Sequence, residues 1–183
     1  VGSGPGHLAI FGFDPVEHEI GRGALEALGV DLDLGPDDIA ARGNFCNVDD
    51  NGILVDRRAG RLSTPEAIRL AKILNSIQID GAEFHVEPVK EHRFALVIRG
   101  TGLGSAVKDT DPLKDGVLPY AAVGLDAKSE ATAGLVNHYI AEVKKVLSEE
   151  EQANMILLRG FDRLPVLPKY DDLFQLQAAS IAV

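Results

Sequence analysis

Residues able to do chemistry gather in three stretches. The chain opens VGSGPGHLAIFGFDP, with Ser3 between Gly2 and Gly4 and His7 close behind. A tight glycine-flanked backbone exposes a hydroxyl, and an exposed serine becomes a nucleophile once a base or metal stabilises its alkoxide. The spacing is not that of a hydrolase nucleophile elbow, and no Gly-Lys-Ser/Thr follows as in a P-loop. Taken alone, such a motif is more often a flexible turn. The second stretch is basic. Arg42, Arg57, Arg58 and Arg61 fall within one expected hairpin and its exit, while Arg99 and Arg159 each precede a glycine at an expected strand end. Guanidinium forks grip phosphate and carboxylate at two points, so several that converge would hold a small dianion. The plainer alternative is a set of solvated arginines balancing an acidic surface. Asp56, next to Arg57, is placed either to orient an arginine or to transfer a proton. The third stretch, AVKDTDPLKDG, carries Asp109, Asp111 and Asp115. It lacks the spaced ligand series of a calcium loop, and each aspartate reads as a local turn cap. The five histidines form no HxH or HxxxH pair, and His85 and His92 read as structural or surface residues.

Composition narrows the partners. The 28 acidic against 18 basic residues leave a formal charge of -10, which argues against a nucleic-acid role because phosphate backbones reward clustered Lys and Arg. Cys46 is the one cysteine, so a disulfide framework and a Cys-rich zinc site are excluded and a reducing, cytoplasmic setting is expected. No apolar run approaches the ~20 residues of a membrane span, so no membrane partner is expected. The chain lacks an initial methionine and closes on AASIAV, which reads as a buried strand. Both ends therefore read as cut from a larger protein.

The elements that must position these residues alternate in type. Residues 1–20 read as a loop, followed by a short helix over 21–30 that Gly29 ends. IAARGNFCNV and ILVD, joined at Asp50-Asn51-Gly52, read as a hairpin. Ser63-Thr64-Pro65-Glu66 has the cap, proline and glutamate spacing of a helix start. EFHVEPV and HRFALVIRG form a second expected hairpin, 101–123 a long loop, 129–148 an amphipathic helix, and ANMILLRG a buried strand ending at Arg159. The sum is an α+β fold, with a mostly antiparallel or mixed sheet and helices packed on one face.

At GSGPGHLAIFGFDP the sequence resembles the cofactor-independent phosphoglycerate mutases of the archaeal type, within the alkaline phosphatase superfamily. The resemblance continues through IGRGALEALGVDL, ARGNFCNVDDNGILVDRRAGR, HRFALVIRGTGL, DTDP and ILLRG, in order and over essentially the whole chain. It implies a serine that carries the phosphoryl group between two positions of glycerate, two divalent metal ions (Mn, Mg or Zn), and an arginine-bearing domain inserted after the serine. Ser3 falls where that serine lies and would meet the metals through its oxygen. The other implied metal ligands come from regions this chain does not contain, so the chain itself is expected to bind no metal. The implied organisation is a core-domain remnant over 1–15, an inserted substrate-binding domain over 16–168 and a return segment over 169–183, partnered by a core domain elsewhere in the same polypeptide. Arg42, Arg58, Arg61 and Arg99 are the expected phosphoglycerate ligands, with His7, Asp56 and Arg57 as lesser candidates. The implied activity is interconversion of 3-phosphoglycerate and 2-phosphoglycerate, the chain alone being inactive. The alternatives are a related metal-dependent phosphotransferase for another small phosphorylated alcohol, and a non-enzymatic anion-binding module.

Overall fold

The structure, a computed structural model, describes residues 3–14, 16–18 and 20–177. In chain order the elements are α1 (Ser3–Ile10), α2 (Arg22–Leu28), β1 (Ile39–Val48), β2 (Leu54–Asp56), a short 3-10 turn (Ala59–Arg61), α3 (Thr64–Leu74), β3 (Glu83–Lys90), β4 (Arg93–Arg99), α4 (Ala127–Val146), β5 (Met155–Asp162) and α5 (Tyr170–Phe174). They fall into two compact units, Ile20–Leu164 and a smaller one drawn from Val1–Glu19 and Pro165–Val183.

In the larger unit every strand pairing is antiparallel. β1 is central: β4 runs along one edge, β5 along the other, β3 lies beyond β4, and β2 pairs with β1 at Asn47 and Val48. Alternation along β1 decides what each face does. Ile39, Ala41 and Phe45 join Phe94, Leu96, Ile98, Ile156 and Leu158 in one buried cluster with α3 and α4. Their neighbours Ala40, Arg42, Asn44 and Cys46 point the other way. On that second face α2 packs against β1, β4 and β5. Gly23 lets it sit close, since a Cβ there would meet the Ala40 carbonyl oxygen at 2.3 Å.

Local signals read from sequence are realised at both long helices. Ser63 caps α3, its Oγ accepting from Glu66 N at 3.4 Å. α4 starts two residues before the expected Ser129 because Asp126 is the cap, accepting from Ser129 N at 2.8 Å. Val136, Tyr139, Val143 and Leu147 face the core, and the Tyr139 ring stacks on Phe84 with centroids 4.2 Å apart. β5 continues beyond Arg159 to Asp162.

The segment between β4 and α4 has almost no regular structure, yet it is held along its length. α4 fixes one stretch: Gly104 N donates to Thr132 Oγ1, and Asn137 exchanges two bonds with Ala122. Thr110 pairs with Leu158 of β5 through backbone and hydroxyl, and Gly116 and Val117 bond Leu54 of β2. Of the three aspartates read as local caps, only Asp111 caps its own turn, at Leu113 N. Asp109 accepts from Gly160 N and Asp115 from Arg57 N, so both tie the strap to other elements.

The smaller unit corrects one expectation. The stretch read as a glycine-rich loop contains α1, whose one proline, Pro5, stands in the first turn, where helices tolerate one. Phe13 is buried there, its ring 5.9 Å from Phe174 and 5.5 Å from His18. The expected strand AASIAV lies outside the described residues. Among the described residues no helix is long and apolar enough to cross a membrane.

The core face predicts a direct stability test. Leu96 is fully buried at the centre of β4, so Leu96→Ala is expected to lose about 2–5 kcal/mol, read as a fall in the urea midpoint with the denaturant slope unchanged.

Candidate functional site

The second face of the sheet opens into a cleft of about 490 Å³ lined by Arg42, Asn44, Arg57, Arg58, Arg61, Glu91, His92, Arg93, Leu113 and Arg159. Three pieces of structure deliver the six arginines. β1 and β5 supply Arg42 and Arg159, which are direct partners in the antiparallel register. The β3–β4 hairpin supplies Arg93, opposite Asn44. The exit of β2 supplies Arg57, Arg58 and Arg61.

That exit is a strained turn. Ala59, Gly60 and Arg61 all have positive φ, at 46°, 61° and 54°, a conformation unfavourable for the two that carry a Cβ. Asp56 holds it: Oδ1 accepts from Arg58 N at 2.8 Å and Oδ2 from Gly60 N at 2.6 Å. Both oxygens of Asp56 are thus committed to the turn, and it does not line the cleft. Arg57, a lesser candidate from the sequence, lines the cleft together with Arg58; strand alternation would set such neighbours on opposite faces, but β2 has ended at Asp56.

Charge in the cleft is poorly balanced. Arg57 Nε and Nη2 donate to Asp111 Oδ1 and Oδ2 at 2.8 and 2.7 Å, and Arg159 lies 3.9 Å from the same carboxylate. Burial pushes Asp111 up, but the Arg57 fork, the Leu113 N–H and Arg159 hold it below the ordinary carboxylate range. Among the described residues Arg42 meets one carboxylate, Glu26 of α2, at 3.8 Å, beyond hydrogen-bond reach. Burial and the repulsion of Arg159, Arg93 and Arg22 weaken the hold of Arg42 on its proton, with Glu26 opposing. Among the described residues the buried Nε atoms of Arg42 and Arg159 have no hydrogen-bond partner. Among the described residues no carboxylate pairs with Arg58, Arg61 or Arg93. Such a cleft has the charge and the donors that suit an anion carrying several charges.

Arg99 stands apart. It pairs with Asp38 at 2.8 Å and does not line the cleft. It shares β4 with Arg93, but six residues of strand separate the two by about 20 Å. Its position at a strand end before a glycine does not reveal which end. Ser3 and His7 both fall in α1 of the smaller unit. Asn44, Arg93 and His92 also line the cleft and were not singled out for a site from the sequence. Strand alternation from Arg42 reaches Asn44, whereas Arg93 and His92 become visible only through register.

No group of three or more His, Cys, Asp or Glu side chains among the described residues is placed to hold a metal ion, and the cleft itself, rich in guanidinium, repels cations. The described residues do not fit a two-metal centre.

The family model for 2,3-bisphosphoglycerate-independent phosphoglycerate mutase matches residues 1–153. The chain belongs to that family. A probable 2,3-bisphosphoglycerate-independent phosphoglycerate mutase of Thermus thermophilus is 48% identical over 99% of the chain and 45% of its own length. The corresponding protein of Thermosipho melanesiensis is 44% identical over 100% of the chain and 46% of its own length. Among solved structures, the cofactor-independent phosphoglycerate mutase from Thermoplasma acidophilum matches with a TM-score of 0.76 and 32% identity over 91% of the chain and 47% of that protein. The chain thus spans about half the length of these phosphoglycerate mutases.

Asp111 sets a pH test. Its folded pKa lies below its unfolded value, so its stabilisation is complete above about 3.9 and is lost as the pH falls through the lower folded value. Asp111→Asn is expected to lower stability at pH 7 by on the order of 3 kcal/mol, and the gap between variant and wild-type unfolding midpoints should close below pH 4.

Proposed function

We propose that this chain carries the substrate-binding part of a phosphoglycerate mutase that interconverts 3-phosphoglycerate and 2-phosphoglycerate. The observation that carries the reading is the convergence of six arginines, two with buried unpartnered Nε groups, on one cleft. A phosphate monoester holds nearly two negative charges at neutral pH and the glycerate carboxylate adds another, which matches the uncompensated guanidinium charge. Arg42 and Arg159, fixed on adjacent strands, form the rigid floor. Arg58 and Arg61, exposed on the Asp56-held turn, adapt to whichever end of the ligand they meet.

In this reading residues 16–168 form an inserted substrate-binding domain, between a remnant over 1–15 and a return segment over 169–183. The separate compactness of Ile20–Leu164 supports that division. Ser3 is the phosphoryl acceptor: its oxygen bonds to phosphorus as the glycerate oxygen leaves and takes a proton, and the other glycerate hydroxyl then reclaims the phosphoryl group. While the phosphoryl group rests on the serine, the cleft keeps glycerate from escaping. Apart from the Ser3 oxygen, the ligands of the metal ions are assigned to the remainder of the polypeptide, so the chain alone is inactive.

Calorimetric titration of 3-phosphoglycerate into the chain tests the cleft. Arg61→Ala is expected to weaken binding about ten- to hundredfold, while Arg99→Ala leaves it unchanged. Equal losses in both variants would refute the assignment of the site. In the full-length protein, Ser3→Ala is expected to abolish turnover, and persisting activity would remove Ser3 from the mechanism.

A further inference from the structure

The cleft holds two buried uncharged groups that anion binding leaves unexplained. His92 stands between β3 and β4, its side chain 10% exposed, and among the described residues its Nδ1 has no hydrogen-bond partner. Glu91 Oε2 lies 4.0 Å away, too far to bond. The backbone fixes the residue, since its carbonyl accepts from Phe45 N at 2.8 Å. Asn44, opposite Arg93 in the ladder, is 7% exposed, and its Oδ1 is also unpartnered. Buried polar atoms in folded proteins almost always find a partner, so two orphans lining one cleft point to a ligand.

What they are suited to bind follows from what arginine lacks. A guanidinium has five donors and no acceptor. It satisfies phosphate and carboxylate oxygens and offers nothing to a hydroxyl proton. Burial, reinforced by Arg93, Arg58 and Arg42 and opposed by Glu91, keeps His92 below its ordinary pKa. Its imidazole is therefore neutral at pH 7, and with the proton on Nε2 the free Nδ1 is an acceptor.

We propose that His92, with Asn44 beside it, recognises a free hydroxyl on the bound anion, so that the cleft selects a phosphorylated hydroxy acid over the same phospho acid without the hydroxyl. The inference rests on the phosphoglycerate reading and adds a specificity-determining residue to it.

The test compares 3-phosphoglycerate with 3-(phosphonooxy)propanoate, which keeps both anionic groups and lacks the hydroxyl. Wild-type chain is expected to prefer the hydroxy acid about five- to tenfold. His92→Leu should lose that preference and keep its affinity for the deoxy ligand. An undiminished preference, or an equal fall for both ligands, overturns the proposal. Imidazole 15N spectra of the unsubstituted chain supply a second readout that does not depend on a variant folding: the His92 Nδ1 resonance should move with the hydroxy acid and stay with the deoxy ligand, and equal responses overturn the proposal. Wild type that binds both ligands equally refutes the role of His92 alone. Wild type that binds neither refutes the phosphoglycerate reading as well.

Discussion

Successive residues of a strand point to opposite sides of a sheet, so β1 must serve two environments at once. Its odd-numbered residues Ile39, Ala41 and Phe45 belong to the main apolar core. Its even-numbered residues Arg42 and Asn44 belong to the cleft. Flanked by β4 and β5, β1 is held in register on both edges. The packing of α3 and α4 on one face thereby fixes the guanidinium of Arg42 on the other. A slip of one residue would exchange the two sets and destroy core and cleft together.

Around that strand, the site is assembled from pieces whose restraints differ. Arg42 and Arg159 inherit the rigidity of the sheet. Arg57 is fixed by Asp111, a carboxylate brought in by the strap between β4 and α4. Arg58 and Arg61 depend on a turn with positive φ, held by the two oxygens of Asp56. The acidic residues near the arginines act as braces: Asp56 braces backbone, Asp111 braces a guanidinium, and Glu26 stands just beyond hydrogen-bond reach of Arg42.

Both hairpins, the α3 cap at Ser63 and the core stripe of α4 were legible in the sequence because each depends on residues close in the chain. Arg42, Arg58 and Arg61, singled out through their strings, all line the cleft. Arg99 shows where such reading stops. A strand end before a glycine is a local feature, but which end of the sheet it occupies depends on the antiparallel order of β1, β4 and β5. The same holds for Arg93 and His92, which enter the cleft only through pairing with β1. Asp109 and Asp115 looked like local caps because their partners, Gly160 and Arg57, lie 51 and 58 residues away. At the amino terminus, glycines suggested a loop where α1 stands.

The uneven placement of charge has a consequence for how a ligand arrives. The chain as a whole carries -10, yet its cleft gathers six guanidinium groups. An incoming anion therefore crosses two fields of opposite sign and different reach. In dilute salt the repulsion extends about 30 Å, but at physiological ionic strength it fades within about 8 Å. The pull of the partly buried arginines acts at contact and is screened far less. A cleft lined by one sign of charge focuses its field and raises the local concentration of anions at its mouth, so the arginine cluster, and not the net charge, governs the last approach of the ligand.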